Sequence, residues 1–299
     1  MKNLKITVLI IAIATLNSCG NSTTVDKDAI STTLDYSKVE TFGSALADQV
    51  NAGDGAGIDK IFRNSGVVID ESDSTYFAVN GVHPVKRGDL TSYYPKSVVK
   101  ASLVTDKVVK AYSFSGHNGH EVDMEGLTFG AQDGYLYIGD EYNYVYKMNL
   151  STGAIEQEWD LATIGISTRA DKGIEAIAYS KTTKNYYVGI QALKSVIEIN
   201  LKDDGTIKKI NEFAVPDSPS GLFAHPDGTL YVLTFKSIYR FDSKGIQTCK
   251  ISIPKDLGMT RPDGIYIDSN NEYIYLADSQ GPLKGGHSMY KIAWTKPCK

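Results

Sequence analysis

From residue 65 onward, apolar side chains recur at every second position in short runs, and the runs come in pairs separated by turn residues. Alternation at period 2 in β-branched and aromatic residues marks strands, and no stretch after residue 65 sustains the 3.6-residue period of a helix. One pattern occurs five times: a small or acidic residue, Gly or Ala, an apolar strand, a turn, and a second strand rich in Tyr or Val. The copies open with Ser65-Gly66-Val67, Glu125-Gly126-Leu127, Glu175-Ala176-Ile177, Ser220-Gly221-Leu222 and Asp263-Gly264-Ile265. Their starts fall 60, 50, 45 and 43 residues apart, a spacing that suits a four-stranded propeller blade and is too long for leucine-rich or ankyrin units. Further strands at 142–150 and 154–161 flank Ser151-Thr152-Gly153, and others at 195–201 and 207–213 flank Asp203-Asp204-Gly205. The pattern predicts an all-β chain folded as a β-propeller of five blades, with six as the alternative. A β-sandwich would leave the recurrence of one hairpin at one spacing unexplained.

The fifth copy runs through strands at 263–267, 273–277 and 289–294 and stops one strand short. A strand borrowed from residues 36–62 would complete it and remove an open edge. Within that segment, residues 44–50 also read as a short helix.

The N-terminal end has a different character. Lys2 and Lys5 form a basic head before an apolar run at 6–16, too short to span a bilayer. The expected organisation is a signal peptide at 1–18, a polar tether at 19–35 and the propeller at 36–299. Leu16-Asn17-Ser18-Cys19-Gly20 resembles the lipobox of bacterial lipoproteins, with Asn17 departing from the usual small or apolar residue. Lipid on Cys19 would hold the protein to a membrane of the bacterial envelope, at the outer membrane or cell surface. Removal of the signal takes the formal net charge from −4 to −6, which with no Lys/Arg run argues against a nucleic-acid partner. A monomer that takes a small-molecule or protein ligand is expected. Cys249 and Cys298 are free to form a bridge in an oxidising compartment, though spacing alone leaves the pairing open.

Hairpin geometry gathers the candidate chemistry. The innermost strand of a blade begins, and the second ends, at the same end of the channel. The carboxylates of Glu125, Asp140, Glu141, Glu175, Asp263 and Asp278, with the neutral oxygens of Asn80 and Gln191, are therefore expected at one mouth. Taken singly, each acid also reads as a solvated turn former; their recurrence at equivalent positions points to a hard cation that offsets mutual repulsion. Oxygen-only ligands suit Ca²⁺. His117 and His120, three apart in the loop before the second blade, read as a transition-metal or acid/base pair, or as solvated loop residues. No G-x-S-x-G, H-E-x-x-H, P-loop or dinucleotide glycine pattern occurs.

Asn64-Ser65-Gly66-Val67-Val68-Ile69-Asp70, the Val79-Asn80 end, Asp123-Met124-Glu125-Gly126 and Asp140-Glu141 together resemble the SdiA-regulated family of bacterial propellers. The resemblance covers roughly residues 60 to 295. It implies five blades, a calcium site and a distant relation to NHL-repeat, gluconolactonase-like and phytase-like propellers. By position, it makes Glu125, Asp140, Glu141, Glu175 and Asp263 the candidate site; Ile190-Gln191 and Ser220 depart from the pattern. Two functions are compatible with it. One is a calcium-binding module that docks a ligand without turnover. The other is a calcium-dependent hydrolase of a lactone, ester or phosphate ester, with Glu175 or His120 activating water.

Overall fold

Each of the five repeats is an antiparallel meander in the computed structural model, which describes residues 25–43, 64–80, 85–87, 90–92, 97–114, 122–168, 172–279 and 288–295. From the axis outward, blade 1 comprises Asn64–Asp70, Thr75–Asn80, Ser97–Ser102 and Val108–Ser113. Blade 2 comprises Met124–Phe129, Tyr135–Asp140, Tyr144–Asn149 and Ile155–Asp160. Blade 3 comprises Ile174–Ser180, Asn185–Ile190, Ser195–Leu201 and Ile207–Ala214. Blade 4 comprises Gly221–Ala224, Leu230–Leu233, Ser237–Phe241 and Gln247–Ser252. Blade 5 has Pro262–Ile267, Tyr273–Asp278 and Met289–Ala293 from the C-terminal end, and Val39–Phe42 as its outermost strand.

The borrowed strand pairs antiparallel, Val39 opposite Ile292 and Phe42 opposite Met289, so the ring closes through the segment expected to close it. A hairpin of Val85–Arg87 and Leu90–Ser92, inserted between the second and third strands of blade 1, lies within the long 60-residue first interval. Residues Val25–Thr33, expected within a tether, instead run parallel to Gln247–Ser252 as a fifth strand on blade 4. The cause is general: the outermost strand of a blade presents unpaired N–H and C=O groups, and a nearby extended segment satisfies them. Cys249 is buried and disulfide-bonded; its partner lies outside the described residues, as do Cys19, Cys298, whose pairing with Cys249 the sequence left open, and the helix expectation at 44–50. No helix among the described residues is long and apolar enough to cross a membrane.

The core is divided into five clusters, and each fills one interface between neighbouring blades. Between blades 2 and 3, for example, Tyr137, Val145 and Trp159 meet Ile177, Val188 and Ile197. Burial of each such side chain contributes about 1.5–3 kcal/mol. Since a blade is covered on both faces, its second strand is buried along its whole length, as in Thr75–Asn80, and only outer strands such as Gln247–Ser252 keep the in–out alternation.

At the axis the innermost strands pack one against the next around the ring, and Pro262–Ile267 meets Asn64–Asp70 to close it. The Gly or Ala of each repeat is what permits this approach. A Cβ on Gly126 would sit 2.7 Å from the Ile177 backbone nitrogen, and one on Gly264 would sit 2.9 Å from that of Val67. The collar of Gly66, Gly126, Ala176, Gly221 and Gly264 narrows the channel to about 10 Å³, no more than a water molecule occupies, and separates its two mouths.

Candidate functional site

In four blades the residue before the collar is the extra residue of a β-bulge. Asn64 pairs with Asn80 but Gly66 with Val79; Met124 pairs with Asp140 but Gly126 with Gly139. The same slip occurs between Ile174 and Ala176 and between Pro262 and Gly264. The bulged residues are Ser65, Glu125, Glu175 and Asp263, and a bulge turns its extra side chain away from the regular pleat. Blade 4 pairs regularly from Gly221, and its Ser220 is satisfied by the backbone, donating its hydroxyl to Pro262 O at 2.7 Å.

The acids that end the second strands do a different job. Asp140 Oδ1 accepts the Tyr142 amide at 2.7 Å, and the carboxylate also accepts the backbone of Asp123. Asp278 accepts the amides of Thr260 and Arg261, each at 2.8 Å. Both therefore fasten the residue two places before a bulged acid: Asp123 before Glu125, and Arg261 before Asp263. Both carboxylates are fully buried and bonded to these loops, which organises the mouth; Asp278 uses both oxygens there, whereas Asp140 keeps Oδ2 without a hydrogen-bond partner.

One scaffold thus presents opposite charges on opposite sides. On the blade-2 side, Asp123, Glu125 and Glu141 are all buried, and one carboxylate oxygen from each lies within 4.8 Å of the others. Glu141 is held against this pair because its amide donates to Asp123 O at 2.9 Å. Gly173 leaves the room it needs: a Cβ there would fall 1.8 Å from Glu141 O. On the blade-5 side, Arg261 places Nε 3.1 Å from Asp263 Oδ2 and Nη2 3.6 Å from Glu175 Oε2, with its guanidinium 5.3 Å from the ring centre of the exposed Phe235. Glu175 joins the halves, since it also shares a hydrogen bond with Glu141.

Burial and mutual repulsion push these carboxyls up. Desolvation, then the charges of Glu175 and Asp123, raise Glu141 to about 9. Desolvation raises Asp140 to about 7. It does the same to Glu175 and Asp263, which Arg261 pulls back to about 7. Glu125 is driven well above the usual carboxylate range by desolvation and by Glu175, Asp123 and Asp263. Burial works against the Arg261 charge, but Asp263, Glu175, Glu125 and Glu141 hold it firmly protonated. Glu125 Oε1 and Glu175 Oε1 are buried without a hydrogen-bond partner. Such groups are costly unless something else approaches them.

Of the sequence candidates, Glu125, Glu141, Glu175 and Asp263 meet at the mouth, whereas Asp140 and Asp278 support it. His117 and His120 lie outside the described residues. Sequence reasoning passed over Asp123, Arg261 and Phe235 as site residues. Asp123 was legible as a second acid two places before Glu125, but it lies just ahead of the strand and Glu125 is bulged, so only the folded loop brings the two carboxylates together. Arg261 holds the equivalent place in blade 5, but one blade with Arg where another has Asp breaks no visible pattern.

A model of the family described as "Phytase-like: Esterase-like activity of phytase" matches residues 63–236. This falls on the phytase-like relation that the family resemblance implies. No curated protein matches the sequence. Among solved structures, glutaminyl cyclase from Myxococcus xanthus superposes with a TM-score of 0.56 at 11% identity, over 88% of this chain and 97% of that one. At that identity the likeness shows the fold alone. Hydrazine synthase from Kuenenia stuttgartiensis gives 0.46 at 16% identity over 75% of this chain and 57% of that chain. The Cps50 (Swd1) β-propeller domain of Myceliophteria thermophila gives 0.43 at 10% identity over 72% and 62%. This chain spans less than two thirds of either of these last two.

Proposed function

The chain belongs to the phytase-like family, and from that premise we propose that the acidic mouth is a calcium site serving the hydrolysis of an ester. The observation that carries the reading is the excess of buried carboxylates over cations. Asp123, Glu125, Glu141, Glu175 and Asp263 interact at one opening, and among the described residues Arg261 is the guanidinium set against them. The donor set is all oxygen, and buried Glu125 and Glu175 each keep an oxygen without a partner, which is what a hard divalent cation requires. Asp123, Glu125 and Glu141 would hold the ion, with Glu175 at its border. Bound there, calcium would supply Lewis-acid polarisation of a substrate oxygen.

The chain's own groups provide the rest. Arg261 offers a fixed fork of donors to a phosphate or ester oxygen, steadied by Asp263 and stacked against Phe235. Glu175, with a carboxyl near neutrality, is suited to take a proton from the attacking water. The collar closes the floor of the site, so substrate and water enter from one side. Phosphomonoesters fit best, since their charge matches a cation on one side and a guanidinium on the other. The same reading keeps the protein at the bacterial envelope, held by lipid on Cys19; palmitate labelling lost in Cys19→Ser would support that part.

The test is a panel of phosphomonoester, aryl-ester and lactone substrates, run with calcium and with chelator. Turnover that needs calcium and falls by about 10²-fold or more in Glu175→Gln supports the reading. Calcium-dependent thermal stabilisation with no turnover on any substrate would overturn the hydrolase and leave a ligand-binding module.

A further inference from the structure

The mouth on the other side of the collar is built quite differently. It encloses a cavity of about 190 Å³ at the far ends of the innermost strands. Four half-buried aromatic rings line it, one from each of four blades: Phe129, Tyr179, Phe223 and Tyr266. Phe223 and Tyr266 meet edge to face with ring centres 5.1 Å apart, so part of this wall is set before anything binds.

Its polar groups are mostly engaged already. The Thr128 hydroxyl donates to Phe129 O at 2.9 Å and accepts the Tyr179 amide at 3.2 Å. The Tyr266 hydroxyl donates to Glu71 Oε1 at 2.9 Å, and the Ser269 hydroxyl donates to the same carboxylate. Asp268 Oδ1 accepts the amides of Glu272 and Tyr273 at 2.7 and 2.9 Å, turned into its own loop. A sugar would find few partners here. The exposed Lys181 on the rim has no ion pair among the described residues.

We propose that this mouth is a second binding site, for an aromatic carboxylate of one or two fused rings. The volume suits it, since an apolar cavity of about 150 Å³ accommodates benzene. The rings of the cavity take the aromatic body, and the single ammonium of Lys181 takes a single negative charge. Because the collar separates the mouths, this inference is independent of the hydrolase reading and of calcium.

Calorimetry of the full chain with indole-3-acetate and with its neutral amide tests it. We expect saturable one-to-one binding, about tenfold tighter for the acid, equivalent to one charge-assisted contact. Lys181→Met, an exposed change that leaves the fold intact, should erase the preference for the acid. Ala224→Trp, which fills the cavity wall, should abolish binding of both probes. Absence of binding, an acid preference that survives Lys181→Met, or binding that requires calcium would each overturn the proposal.

Discussion

The two mouths of the channel are made from the two ends of the same five strands, yet one gathers buried carboxylates and the other gathers aromatic rings. The difference comes from what each end must satisfy. At the acidic end, bulges lift single side chains out of the pleat, and two further acids tie down the loops that add Asp123 and Arg261. At the aromatic end the strands run straight into tight hairpins such as the one at Gly134, with φ of +81°, and side chains simply continue the packing between blades. Ionisable groups collect where the backbone is irregular; apolar surface collects where it is regular.

The largest expected effect comes from removing the Arg261 guanidinium. Arg261→Met leaves Glu175 and Asp263 without their countercharge, which should cost about 3–5 kcal/mol at pH 9 in the absence of calcium and much less at pH 5. Urea denaturation at the two pH values measures it. Wild-type protein should already show the same sign. Its raised carboxyls keep protons that the unfolded chain would release, so stability is fully present below about pH 4 and falls as pH rises through 7 to 9. At the proposed site calcium should oppose that fall, because it would bind the deprotonated set. A cation-free melting temperature that climbs over this range would contradict the burial of these groups.

Next in size is the loss of calcium linkage. Stabilisation of about 2.7 kcal/mol is expected at a calcium concentration 100 times the Kd, and it should vanish in Glu125→Gln, as thermal shift would report. Aromatic-mouth variants should keep the full calcium response.

Gly126→Ala tests the partition itself. Its Cβ would meet the Ile177 backbone at 2.7 Å, so a loss of about 1–3 kcal/mol is expected, with both mouths disturbed together. The smallest effect belongs to Phe223→Leu, expected to cost under about 1.5 kcal/mol and to leave calcium binding and turnover unchanged. If it abolished either, the two mouths would be coupled across the collar.

Much of the architecture is legible in the sequence. The spacing of Glu125, Glu175 and Asp263 located three inner strands, and hairpin geometry put their starts at one end. The outer strands of blade 1 were not legible, because an inserted hairpin breaks the period there. Val25–Thr33 was hidden for another reason: its partner, Gln247–Ser252, is more than 200 residues away, and polar edge pairing leaves little trace in hydropathy. Asp140 and Asp278 looked equivalent to the bulged acids, since composition does not reveal which hydrogen bonds a carboxylate accepts.

What the amino-acid order determined alone is local and periodic: five repeats, strands of alternating pattern, a Gly or Ala after each inner-strand start, and the end at which acids accumulate. Only the closed ring decided which of those acids confront one another. Distances across an axis depend on the angle between blades and on the bulges that aim each side chain, and both are set by packing between segments remote in the chain. The same packing brought backbones close enough at the collar to turn one channel into two separate mouths.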